Sequence, residues 1–463
     1  MIRFNSGMAF ASFNSFCNGA VGMGPQVDPV ETDTKHPEQT SVVIIGGGIA
    51  GTSAALWLAR QGIPTILCEK GHIAGEQSSR NWGWVRKLYR DPREIPLAVE
   101  ALRLWEGLNE IVEAETGFRR SGILFSAESE AEALDYERWI ALARPQNVDV
   151  YMVAGRELDA LLPSGQTAWK SGIYCPTDGR AEPQKAAPAI ARAAQRAGAI
   201  ILTGCAVRGL ERSAGRISAV VTERGRIACE AVVLAGGAWS SRFLKDLGVR
   251  LPQLKVRNSV LRTAPLEGGP DCTLWTQQAA FRKRLDGGYT IANGSVNIAS
   301  LVPDSFRFFM DFLPTLKTEW SSLRLRLDER FRQEWEEGKT VPLDQVSPYE
   351  RMRVLDPEPD LKQSQAALNE LIRQFPVFSQ AHIVQHWAGL IDVTPDAVPV
   401  ISPIDSVPGL IVATGLSGHG FGVGPAVGQL AADLVTGAPP IVDPYAFRFS
   451  RFTDGSKPRP MKL

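Results

Sequence analysis

Three glycines and one glutamate mark the clearest chemistry in this chain. Gly46, Gly48 and Gly51 lie in the run Gly46-Gly47-Gly48-Ile49-Ala50-Gly51, and Glu69 stands 18 residues beyond the last of them. Gly46 permits a tight turn. Gly48 lets backbone approach a pyrophosphate where a Cβ would clash, and Gly51 lets a helix pack closely on a strand. A helix opening at Ile49 and Ala50 offers unpaired N–H groups and a partial positive charge to phosphates. Glu69, followed by Lys70, is spaced to accept hydrogen bonds from both ribose hydroxyls. Together these residues predict an adenine-dinucleotide site.

The elements that must position them are legible around the motif. Ser41 to Ile45 is a short β-branched run, which suits a strand buried on both faces of a parallel sheet. Ala54, Ala55, Leu58 and Ala59 recur at helical spacing up to Gly62, and Pro64 to Cys68 is a second apolar strand. The motif alone does not separate FAD from NAD. A second such fingerprint is lacking, which argues against an added nicotinamide domain.

Further strands end in small-residue turns. An Ala-rich helix, Ala187 to Ala197, precedes apolar runs at Ile200 to Thr203, Val207 to Leu210, Ile217 to Val221 and Val232 to Ala235. The last runs into Gly236-Gly237-Ala238-Trp239, a place for backbone to approach a ligand. Near the C-terminus, Leu410 to Ala413 leads into a loop containing Gly418, His419, Gly420, Phe421 and Gly422. A helix is predicted from about Ala426, with Pro425 in its first turn. Its N-terminus suits negative charge on a reduced flavin ring.

Between these units lies different material. Pro96 to Thr116 and Pro303 to Gly338 read as amphipathic helices, the latter as one or two. Asp360 is placed to cap a helix running to about Gln374. The aromatic cluster Phe306 to Phe312 reads first as core, then as a lid, and last as a membrane-facing or partner surface.

Composition narrows the function classes. Lys plus Arg and Asp plus Glu are 50 each, so the chain lacks the broad positive field that nucleic-acid binding uses. Its 463 residues predict two domains, or one with a major insertion. The six cysteines, Cys17, Cys68, Cys175, Cys205, Cys229 and Cys272, form no C-x-x-C pair and have no adjacent histidine. This predicts no metal centre, no disulfide framework and a cytoplasmic location. Residues 1–40 read as a flexible leader, with peripheral membrane contact the less favoured alternative.

In their order along the chain, these segments resemble the D-amino-acid-oxidase-like flavoprotein superfamily, which includes glycine and sarcosine oxidases. The carrying motifs are Gly46 to Gly51 with Glu69, Tyr174-Cys175-Pro176-Thr177-Asp178-Gly179, Leu234 to Trp239, Trp387-Ala388-Gly389-Leu390 to Asp396, and Gly418-His419-Gly420. Within it, Glu69 to Arg80, Cys205-Ala206-Val207-Arg208-Gly209 and Phe375-Pro376-Val377-Phe378 resemble the bacterial L-amino acid deaminases. Those enzymes carry a hydrophobic N-terminal anchor, and this leader is more polar. Many relatives have an arginine after Trp-Ala-Gly-Leu, where this chain has Ile391.

The resemblance implies a fold of mixed α/β and α+β character. A discontinuous Rossmann-like FAD-binding domain (41–95, 150–248 and 385–440) would interleave with a substrate domain (96–149 and 249–384). A helical insertion at about 303–345 and a C-terminal tail at 441–463 complete it. Noncovalent FAD is implied, because no cysteine follows Cys272. Ser78, Ser79, Arg80 and Val207 would join the flavin contacts, with Trp82 and Trp84 walling the pocket.

The implied reaction passes hydride from substrate Cα to flavin N5, giving an imine that hydrolyses to a keto acid. The substrate would be a small amino acid or N-alkyl amino acid, and the acceptor oxygen or a respiratory carrier. Its carboxylate needs an arginine fork, for which Arg282, Arg284 and Arg86 are candidates. His419 and His386 are candidates for tuning substrate protonation. The alternatives are a secondary-amine or D-amino acid oxidase, and a flavin-binding electron-transfer subunit.

Overall fold

The computed structural model describes residues 24–163, 165–166 and 169–461. The short apolar runs form a six-stranded sheet in the order Val400–Pro403, Leu410–Thr414, Ala231–Leu234, Val42–Ile45, Thr65–Cys68, Ile200–Leu202. Every neighbouring pair is parallel except the first. Val42–Ile45 and Thr65–Cys68 are buried at every residue, as strands covered on both faces should be. Helices Ile49–Arg60, Pro183–Arg196 and Gly420–Thr436 form one covering layer, with Ile95–Val112 packed against the last. The antiparallel sheet Val207–Ser213, Arg216–Thr222, Gly225–Ala228 packs on the other face. Helices Ile49–Arg60 and Gly420–Thr436 cross so closely that a Cβ on Gly428 would lie 2.3 Å from that of Ser53.

A second, ten-stranded sheet is mostly antiparallel. Its central strand, Leu254–Thr263, pairs with both Tyr289–Ala292 and the long Ile383–Val393. Helix Leu361–Gln374 buries Ala367, Leu368 and Leu371 against Phe281, Tyr289 and Ile291. Asp360 caps it as expected, accepting the Gln363 N–H at 3.1 Å.

The expected domain boundaries shift in three places. Helix Ile95–Val112 packs with the dinucleotide-fold helices rather than with the substrate sheet. Strands Tyr151–Ala154 and Ser171–Cys175 pair with each other and, through Ile123–Ala127, join the ten-stranded sheet. Ile383–Val393 bridges the two regions. The insertion also differs from one or two helices. It contains Leu323–Arg326, which extends the large sheet in parallel beside Asn297–Ser300. The aromatic cluster divides: Phe308 and Phe312 are buried, while Phe306 and Phe309 are exposed.

The leader departs from a flexible tail from Gly24 onward. The Asp33 N–H donates to the Ile201 carbonyl, and its carboxylate takes the Ile201 N–H at 2.7 Å. The segment thus occupies the open edge of the six-stranded sheet, where unpaired backbone groups need partners. Residues 1–23, including Cys17, lie outside the described residues. Among those described, no helix is long and apolar enough to cross a membrane.

Candidate active site

The dinucleotide turn follows from local sterics. Gly46 has φ of +109°, and a Cβ there would lie 2.4 Å from the Ala235 carbonyl oxygen. A Cβ on Gly51 would lie 2.0 Å from the Gly46 carbonyl oxygen, so strand and helix touch backbone to backbone. Intrahelical bonding begins with the Thr52 N–H donating to Gly48. The preceding N–H groups have no helical partner, and that of Ile49 is held by Ser78 Oγ at 2.8 Å. Glu69 accepts the Gly47 and Gly71 N–H groups at 2.7 Å each, which aims its carboxylate. Burial pushes its pKa up, against Lys70 and those two bonds. Gly51→Ala is expected to force this turn apart, and the purified protein should show a lower flavin-to-protein absorbance ratio than wild type.

These groups open into one cavity of about 600 Å³, within the size range of small-molecule sites. Gly46, Gly48, Ile49, Ala50, Glu69, Lys70, Ser78, Arg80 and Val207 line it, as do Gly236, Gly237, Trp239, Gly418, His419, Gly420, Phe421 and Gly422. Lys70 Nζ sits 4.7 Å above the Trp239 ring and pairs with Glu76 at 2.6 Å. The cradle fits FAD: a turn that excludes a Cβ, a helix N-terminus for phosphate, an oriented carboxylate for ribose, and two further glycine loops along one cavity.

Aromatic side chains wall the far part of the cavity. Trp82 and Trp84 meet edge to face at 5.2 Å, with Tyr89, Phe125, Tyr136 and Trp275 alongside. Arg86 lies over the Phe125 ring at 5.3 Å, and its guanidinium donates to the Leu88 carbonyl. Arg90 is 2 % exposed, and its Nη1 has no hydrogen-bond partner among the described residues. Burial lowers the pKa of both. His419, also on this cavity, holds the buried Glu94 through Nδ1 at 3.0 Å.

Several expected site residues lie elsewhere. Arg282 does not line the cavity. It is 1 % exposed and forms a bidentate pair with Glu182 at 2.8 and 2.9 Å, while its Nε donates to the Trp82 carbonyl. It therefore braces the aromatic wall from behind. Arg284 faces a separate cleft with Arg119, Arg180 and Lys283, 3.2 Å from Asp286. His386, on Ile383–Val393, is half-buried and off the cavity. Gly51 and Ser79 are buried behind the lining, where Gly51 packs and the Ser79 hydroxyl donates to Glu76. The C-terminal helix begins at Gly420, so Pro425 falls beyond its first turn.

The sequence reading missed Arg90, Glu94 and Asp392. Arg86, Arg90 and Glu94 recur every four residues, but Tyr89 has a left-handed φ of 54°. The segment is a turn there, so helical spacing assigns no common face. Asp392 is buried on the cavity wall, accepting Gln253 Nε2 at 2.8 Å and the Gly415 N–H at 2.9 Å. Burial pushes its pKa up.

Known proteins share this fold. The L-amino acid deaminase from Proteus myxofaciens, solved in complex with anthranilate, matches with a TM-score of 0.90 at 33% identity, covering 94% of this chain and 98% of that one. The L-amino acid deaminase from Proteus vulgaris gives 0.88 at 31% identity, over 92% of this chain and 100% of that one. A glycine oxidase from Pseudomonas putida is 26% identical over 418 residues, 88% of this chain and 97% of its own length. The family described as FAD dependent oxidoreductase matches residues 41–434. The chain belongs to this FAD-dependent oxidoreductase family.

Proposed function

We propose that this enzyme oxidises the Cα–N bond of an α-amino acid, yielding an imine that water hydrolyses to a keto acid and ammonia. The observation that carries this reading is the pair of guanidiniums, half-buried Arg86 and buried Arg90, on an aromatic-walled cavity continuous with the FAD cradle. When bound, FAD supplies the two-electron acceptor. The chain supplies recognition. Arg86 and Arg90, one with an unengaged Nη1, offer the fork geometry that a carboxylate needs. Trp82, Trp84, Phe125 and Trp275 suit a bulky apolar side chain. The anthranilate held by the Proteus myxofaciens relative is itself an aromatic amine with a carboxylate.

The test is anaerobic bleaching of the yellow holoprotein by a panel of L- and D-amino acids, with sarcosine included. Bleaching by bulky apolar amino acids is expected. Bleaching by sarcosine alone would move the reading to a secondary-amine oxidase, and no bleaching would end it. Peroxide release in air would identify oxygen as acceptor, and its absence a respiratory carrier.

A further inference from the structure

His419 is the N-cap of helix Gly420–Thr436 and lines the cavity that holds Arg86 and Arg90. Its Nδ1 lies 3.0 Å from Glu94 Oε2. Glu94 is wholly buried at the N-cap of helix Ile95–Val112, and its Oε1 has no partner among the described residues. A carboxylate at Nδ1 makes that nitrogen the protonated one and leaves the Nε2 lone pair as an acceptor. No described residue engages Nε2, and the side chain keeps 23% exposure on the cavity.

An amino acid arrives in water mainly as an ammonium, whose nitrogen has no lone pair to form the C=N bond of an imine. We propose that His419 and Glu94 form an acid–base dyad that removes one ammonium proton from the bound substrate. The N–H bond breaks, its electron pair stays on the amine nitrogen, and the proton bonds to Nε2 of His419. Glu94 balances the imidazolium charge. His419 touches the substrate and is the catalytic member, while Glu94 is the positioning residue. The inference rests on the amino-acid reading of the cavity.

The charges around the ring set its resting protonation, and among them only Glu94 favours the imidazolium. Arg86 and Arg90 face it from the loop before helix Ile95–Val112, Glu94 from that helix's N-cap, and its own helix adds a positive N-terminus. Burial, then Arg90 and Arg86, hold the imidazole below its ordinary pKa against the opposing pull of Glu94. The resting ring is therefore neutral at neutral pH, the form that accepts a proton. The same two guanidiniums disfavour the substrate ammonium, which eases its deprotonation. Burial pushes Glu94 up, but His419, Arg90 and Arg86 outweigh it and hold the carboxyl below its usual value. Asp392, a buried carboxylate on the cavity wall, is engaged by Gln253 and Gly415.

The test compares wild-type, His419→Gln and Glu94→Gln holoproteins. Glu94→Gln keeps an acceptor for the Nδ1–H and removes only the charge. The first readout is imidazole NMR without substrate, with the His419 signal assigned by its loss in His419→Gln. It should show the Nδ1–H tautomer and titrate below 6.5, the ordinary value, and lower still in Glu94→Gln. The second readout is the anaerobic bleaching rate by an amino acid across pH. Wild type should lose rate as pH falls through the His419 titration. Glu94→Gln should move that break to lower pH, and His419→Gln should abolish it with a slowing of about 10²–10⁴-fold. An Nε2–H tautomer, or a His419→Gln profile and rate matching wild type, overturns the dyad. If no amino acid bleaches wild type, the amino-acid reading falls and the dyad's proton-accepting role falls with it.

Discussion

Arg86→Ala is expected to lower kcat/KM for an amino acid by about 10²–10³-fold, equivalent to about 3–4 kcal/mol. The magnitude follows from the apolar surroundings. Arg86 is half-buried among Trp84, Tyr89 and Phe125, so its loss would leave a substrate carboxylate facing mostly aromatic walls. Most of the loss should appear in KM if the contact is equally strong in ground and transition states. Arg86→Lys should recover only part of it, since a point charge lacks the two-pronged geometry. A substrate analogue lacking the carboxylate separates binding from structural damage. If wild type and Arg86→Ala oxidise that amine equally slowly, the guanidinium acts on the carboxylate. If Arg86→Ala leaves kcat/KM for the amino acid within threefold of wild type, Arg86 is not the anchor.

Arg282→Ala should act on stability instead. Removing the guanidinium leaves the buried Glu182 carboxylate with Arg284 at 3.8 Å and the Leu285 N–H as its nearest partners among the described residues. Breaking such a pair costs about 3–5 kcal/mol, because the remaining charge stays desolvated. A denaturant midpoint well below wild type is the expected measurement, and replacing Glu182 as well, by Gln, should restore part of it. The pair also has a pH signature. Burial pushes Glu182 up, but Arg282, then Arg284 and the Leu285 N–H, outweigh it and bring the carboxyl down from 4.5 to about 2. A depressed folded-state pKa gives stability that is present above the unfolded value and lost as pH falls through the folded one. The difference in stability between wild type and Arg282→Ala should therefore shrink between pH 4.5 and about 2. A variant as stable as wild type, with a raised KM alone, would return Arg282 to the substrate site.

The contrast between these two arginines shows what the sequence reaches. Gly46 to Gly51 with Glu69 was legible because its chemistry is local: a positive φ, a backbone contact and a helix start lie within about 25 residues of chain. The strands around it were legible for the same reason, as short β-branched runs have one stable use in a parallel sheet. Gly236-Gly237 and Gly418 to Gly422 could be found as turns, but only the six-stranded sheet brought all three loops to one cavity.

The substrate end was decided by tertiary structure. Strand alternation placed Arg282 on a common face but could not say that Glu182, 100 residues earlier, occupies that face. His386 and His419 looked alike as isolated histidines, and only the fold put Glu94, 325 residues from His419 in sequence, at a ring nitrogen. The left-handed Tyr89 hid Arg90 and Glu94 from any periodic reading. The leader, too, owes its order to an edge strand some 170 residues away rather than to its own composition. By itself the sequence determined that this chain binds an adenine dinucleotide, because that needs only neighbouring backbone. Which charges line the cavity was settled in three dimensions, because a buried charge takes its place from the partner that desolvation forces upon it.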